Sequence, residues 1–229
     1  YTDYYTLSLH DALPISGLQA AQLHLLALGT ALHWLHTEPG PFPLRWPFGH
    51  RAVSDAFGLT LASLLTLPAV LRDRGVPLQV ADAVCRAARR HELLHVRTVA
   101  ALVASHPCGP ENAAEPYEAY AAALGRARRV PVGEEEARAW PCRMEATYAA
   151  ETFQSWLLAA ALRAELLDRG GKDFWRDPDS GLRWLELLRT GQRLSATELM
   201  ATLSLGGRAP VQPLDPAPLV SWLGEGAHP

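Results

Sequence analysis

Five consecutive residues, His91-Glu92-Leu93-Leu94-His95, carry side chains able to activate water. On a helix, histidines four positions apart share one face and can hold a zinc ion, while the glutamate takes the proton of metal-bound water. A third ligand is needed, and Glu115 or Glu118 follows downstream. Several features oppose this chemistry. Arg89, Arg90 and Arg97 surround the motif with charge. Pro116 biases Glu115 toward extended backbone, whereas a third ligand is usually presented from a helix. A pattern with so few fixed positions also arises readily by chance. The favoured reading is therefore two histidines packed and hydrogen-bonded at a helix–helix contact. A zinc peptidase using His91, Glu92, His95 and Glu115 or Glu118 is the alternative. Ser54 and Asp55 near His50 make no nucleophile triad, because no strand–turn–helix elbow is visible around them.

The elements that must position these groups read as helices throughout. Leu18 to His36 is one helix, closed by the turn residues Glu38 to Pro43, and a second runs from about Ala52 to Leu67. Pro68 permits a short turn to Arg74. Val80 to Ala104 is long and amphipathic, with Val80, Val84, Ala87, His91, Leu94, Thr98 and Leu102 on the stripe expected to face inward. Pro116 can open the next helix, which ends near Arg129. Further helices are expected over Glu145 to Leu167 and Asp177 to Thr190. Ser195 and Glu198 form a capping box opening another, and Pro216 to Leu223 gives a last turn or two. No alternating β-branched stretch competes, so the expected fold is all-α. Trp34, Trp46, Trp140, Trp156 and Trp184 read as core or groove-wall aromatics. Glu134 to Glu136 reads as a solvated helix start.

The 229 residues have ample material for a buried core, and a formal charge of −3 supplies no basic footprint for a phosphate backbone. Nucleic acid is therefore not an expected partner. The most apolar stretch, Leu18 to Leu35, is interrupted by Gln19, Gln22, His24 and His33, so no membrane partner is expected either. Cys85, Cys108 and Cys142 are odd in number and lack C-x-x-C spacing, which fits a reducing compartment. With no signal peptide visible, the expected location is the cytoplasm. Thr6 to Ile15, TLSLHDALPI, reads as one translated frame of a short-read sequencing adapter. Residues 1–16 are accordingly set aside as a non-native scar, and 17–229 is expected to be one helical domain fragment lacking its N-terminal part.

Four separated stretches of 17–229, in order, resemble the C-terminal catalytic region of the thimet oligopeptidase and oligoendopeptidase family of zinc peptidases. The first is LHLLALGTALHWLHT, Leu23 to Thr37, where the family has a helix close to LFHEFGHALHWL. Gly29, Ala31, Leu32 and His33 coincide with its G, A, L and H. The family's zinc histidines then fall on Leu26 and Thr30, and its catalytic glutamate on Ala27. The second stretch is RAVSDAF, Arg51 to Phe57. The family's third ligand, a glutamate about 25 residues beyond the second histidine, falls on Asp55. The third, HELLHVRTVAALV, lies where the family has a helix away from the metal. The fourth is MEATYAAETFQSWLLAAAL, Met144 to Leu162. There the family's substrate- and oxyanion-binding His and Tyr positions fall on Arg143, Tyr148, Thr152 and Ser155. SATELM and PLVSWLG resemble its C-terminal helices.

The resemblance implies the helical C-terminal part of a zincin-like oligopeptidase catalytic domain, truncated at its N-terminus, with its chemistry removed. Leucine offers zinc no lone pair, a lone Thr hydroxyl is a poor ligand, and Ala27 cannot act as a base. No cofactor is expected, although active relatives hold zinc. The implied role is binding of peptides, or assembly with an active paralogue.

Overall fold

The computed structural model describes residues 17–37, 51–105, 116–133, 135, 146–191, 193–203 and 215–224. Among these, ordered structure is helical and no strand occurs, so the fold is all-α. In chain order the α-helices are α1 (Leu18–His36), α2 (Arg51–Ala62), α3 (Pro68–Asp73), α4 (Leu78–Ser105), α5 (Pro116–Arg128), α6 (Ala146–Gly170), α7 (Pro178–Thr190), α8 (Ala196–Thr202) and α9 (Ala217–Gly224). A 3₁₀ turn over Ser63–Thr66 extends α2, and another over Gly171–Arg176 links α6 to α7.

Local chemistry explains where these helices begin and end. Thr37 closes α1 by donating its hydroxyl to the His33 carbonyl at 2.7 Å. Pro178 opens α7, while Asp177 Oδ2 accepts from the amide and hydroxyl of Ser180 at 2.9 and 2.6 Å. At α8 the capping box is present in both directions. Ser195 Oγ accepts the Glu198 amide, and Glu198 Oε2 accepts the Ser195 amide.

Helix α6 is the central element. From Ser155 to Arg163 every residue is buried, because neighbours surround it rather than cover one stripe. Its Leu157, Leu158 and Leu162 share a core with Ala52, Val53, Ala56 and Phe57 of α2, Leu187 and Leu188 of α7, Leu199 and Met200 of α8, and Trp222 of α9. A smaller cluster joins Leu102 of α4 to Tyr120 and Leu124 of α5 and Ala149 of α6.

Helix α4 corrects the expected inward stripe. Val80 and Leu94 are 50% and 44% exposed, and Ala87, His91 and His95 are exposed as well. The buried row is Ala81, Cys85, Ala88, Glu92, Val96 and Val99, displaced by about one residue, or 100° of helix rotation. Small Ala and Cys side chains let α4 approach its neighbours closely. Thr98 and Leu102 are buried as expected, because α5 and α6 together cover a wider arc at that end. Of the tryptophans read as core or groove wall, Trp156 is buried, Trp184 half-buried and Trp34 39% exposed; Trp46 and Trp140 lie outside the described residues. Glu135 is exposed, while Glu134 and Glu136 are outside them. No helix among the described residues is long and apolar enough to cross a membrane.

Candidate functional site

Helices α1 and α2 cross at two glycines. A Cβ on Gly29 would stand 2.6 Å from the Phe57 carbonyl, and one on Gly58 would stand 2.5 Å from the Leu26 carbonyl. The backbones therefore touch, which only glycine permits. At the crossing Thr30 is buried, its Oγ1 reaching the Ser54 carbonyl at 3.4 Å. An added Gly58 Cβ would also meet Thr30 Oγ1 at 2.7 Å. Leu26 is half-buried against the same crossing, whereas Ala27 faces outward. The space beside the Leu26 carbonyl and the Thr30 hydroxyl is thus occupied by the backbone of α2.

Asp55 sits one residue beyond Ser54, with its side chain 20% exposed. Arg51, one helical turn earlier, donates Nε to Asp55 Oδ2 at 3.0 Å and Nη2 to the Tyr148 hydroxyl at 2.8 Å. The guanidinium carbon lies 4.2 Å from the Tyr148 ring centre, so the same arginine stacks on the ring whose hydroxyl it holds. Burial raises the Asp55 pKa, Arg51 opposes that rise by charge and hydrogen bond, and the Glu151 charge adds to it. Asp55 and Tyr148 are thereby brought together through Arg51. Thr152 and Ser155 return their hydroxyls to their own helix, at the Tyr148 and Glu151 carbonyls, both at 2.9 Å. Arg143 lies outside the described residues.

These donors do not suit zinc. Leu26 supplies none, Thr30 supplies a hydroxyl already pointed at a carbonyl, and Asp55 is held by a guanidinium. Among the described residues, no three His, Cys, Asp or Glu side chains come together in a manner that could hold a metal ion.

The His91–His95 motif is arranged differently. His91 and His95 are exposed, while Glu92 points inward and is 5% exposed, with Oε2 enclosed and lacking a hydrogen-bond partner. Burial pushes the Glu92 pKa up to about 8 despite the opposing charges of Arg163 and Arg89. His95 is exposed as a residue, yet its ring is crowded and lies 5.8 Å from the Trp156 ring. Desolvation and then the His91 charge lower its pKa. Glu92 Oε2 is thus enclosed, whereas both histidines stand on the exposed part of α4. Glu118 is exposed on α5, and Glu115 lies outside the described residues.

Two groups with site-like chemistry were not singled out from sequence. Arg51 could have been recognised from its i,i+4 spacing to Asp55. The second is His33, fully buried, with Nδ1 3.1 Å from Ser54 Oγ and its ring stacked 4.6 Å from Phe57. Burial lowers its pKa to about 4. The Gly191 backbone pulls the other way, and Nε2 is enclosed without a well-formed hydrogen bond. Nothing local in the sequence pairs residues 33 and 54. Cys85 is a buried thiol whose pKa is pushed up to about 11, first by desolvation, which leaves it unreactive.

Comparison with protein-family models, with curated proteins and with solved structures gives no match.

Proposed function

We propose that the chain is a non-catalytic relative of the thimet oligopeptidase and oligoendopeptidase family, one that binds peptide or protein, or assembles with an active paralogue, instead of hydrolysing peptide bonds. The observation that carries this reading is the closed crossing of α1 and α2. Leu26 and Thr30 fall where the resemblance calls for zinc histidines; the Leu26 backbone lies against Gly58, and the Thr30 hydroxyl is turned to the Ser54 carbonyl. The engagement of Asp55 by Arg51 agrees with it, since a carboxylate neutralised by a guanidinium has lost much of its attraction for a cation. The peptide-binding role rests on the family analogy alone.

The test is zinc content and oligopeptide hydrolysis measured together on the purified, zinc-supplemented chain, with circular dichroism to establish that it is helical. The expected result is a helical protein with no stoichiometric zinc and no cleavage of unstructured oligopeptides. One tightly held zinc with cleavage, both lost in His91→Ala, would replace this reading with the alternative active site.

A further inference from the structure

A cavity of about 180 Å³ opens where the end of α2, the end of α6 and the start of α7 meet. Leu64, Leu166, Phe174, Trp175 and Trp184 form most of its wall. Trp184 stands edge-on to Phe57 with ring centres 5.0 Å apart, and Trp175 edge-on to Phe174 at 6.0 Å, so the aromatic walls are held by neighbours. Trp175 Nε1 is enclosed without a hydrogen-bond partner, while the hydroxyls of the lining are satisfied. Thr60 donates to the Ala56 carbonyl at 2.8 Å, and Ser180 donates to Asp177 at 2.6 Å. Water in such a space finds few hydrogen-bond partners, whereas an apolar guest removes the walls from water.

Gly181 supplies the second observation. It lines the cavity inside the first turns of α7, yet an added Cβ would meet nothing within 4 Å. Its φ is not in the left-handed region, so the backbone does not call for glycine there. Glycine is a poor helix former, and at this lining position it leaves space that a larger side chain would take.

We propose that this cavity is a binding site for a small uncharged molecule whose buried part is an aromatic ring or branched alkyl group of about eight to ten non-hydrogen atoms. The size follows from the volume and the apolar character from the wall. Asp177, whose carboxylate Ser180 keeps ionised, lines the cavity and disfavours an anion.

The test uses 4-fluorotoluene and 4-fluorobenzoate as probes, each followed by fluorine NMR on titration with the purified chain. Saturable broadening of 4-fluorotoluene, reversed by excess toluene and absent for the benzoate, is expected. Gly181→Leu, which adds bulk to the lining, should weaken binding by at least about tenfold. Leu182→Ala, at a neighbouring residue that is 60% exposed and lies outside the lining, should leave binding unchanged. Circular dichroism checks that the variants stay helical, and Leu64→Trp fills the space from another wall should Gly181→Leu fail to fold. No saturable response, an equal response to 4-fluorobenzoate, or full binding by a folded filling variant would overturn the assignment.

Discussion

His33 and Ser54 form an enclosed Ser–His pair: Nδ1 and Oγ are 3.1 Å apart, and the two residues are 0% and 3% exposed. The pair has the atoms of a nucleophile and its base but no route for substrate. Trp34 Nε1 also donates to Ser54 Oγ, at 2.9 Å. One hydroxyl on α2 thus ties down two successive side chains of α1. Its work is to fix the helix crossing.

Ser54→Ala should therefore act on stability. It removes the partner of the fully buried His33 Nδ1, and an unpaired buried polar group costs about 1–3 kcal/mol. A lower urea midpoint with an unchanged slope is expected, since the surface exposed on unfolding does not change. A midpoint equal to that of the parent chain would mean that the hydroxyl is not a tie.

Two buried groups give stability an asymmetric pH dependence. The folded pKa of His33 is depressed to about 4 from 6.5, so its contribution is complete above 6.5 and is lost as pH falls toward 4. The folded pKa of Glu92 is raised to about 8 from 4.5, so its contribution is complete below 4.5 and is lost as pH rises through 8. The two slopes oppose one another between 4.5 and 6.5. From 6.5 to 8 the Glu92 slope acts alone, and these two groups predict a fall of about 2 kcal/mol. Urea denaturation at stepped pH measures it. Glu92→Gln should abolish the decline above 6.5, and its persistence in that variant would place the titrating group elsewhere.

Gly58→Ala probes the crossing itself. The new Cβ would stand 2.5 Å from a backbone oxygen, so α1 and α2 must separate. Overpacking of this kind typically costs about 1–3 kcal/mol. Gly181→Ala, with nothing within 4 Å of its Cβ, is the matched control and should be neutral or stabilising. Equal melting temperatures for the two variants would contradict close contact at Gly58.

The helices themselves were legible in the sequence. Runs of Leu and Ala without alternation, Pro116 and Pro178 at helix starts, and the Ser195–Glu198 box are local signals, set within a few residues of the chain. The direction each face takes is not local. On α4 the bulky stripe through Val80 and Leu94 competes with a row of smaller residues, and periodicity alone favours the more hydrophobic one. The neighbours decide otherwise, because alanine and cysteine allow closer packing and carry Glu92 inward with them. That rotation leaves His91 and His95 on the exposed face while Glu92 is enclosed. The site at α1, α2 and α6 has the same origin. The sequence supplied Asp55 and Tyr148 as separate candidates, residues distant along the chain. Only the packing of α2 on α6 puts Arg51 between them, and only the contact at Gly29 and Gly58 closes the space beside Thr30.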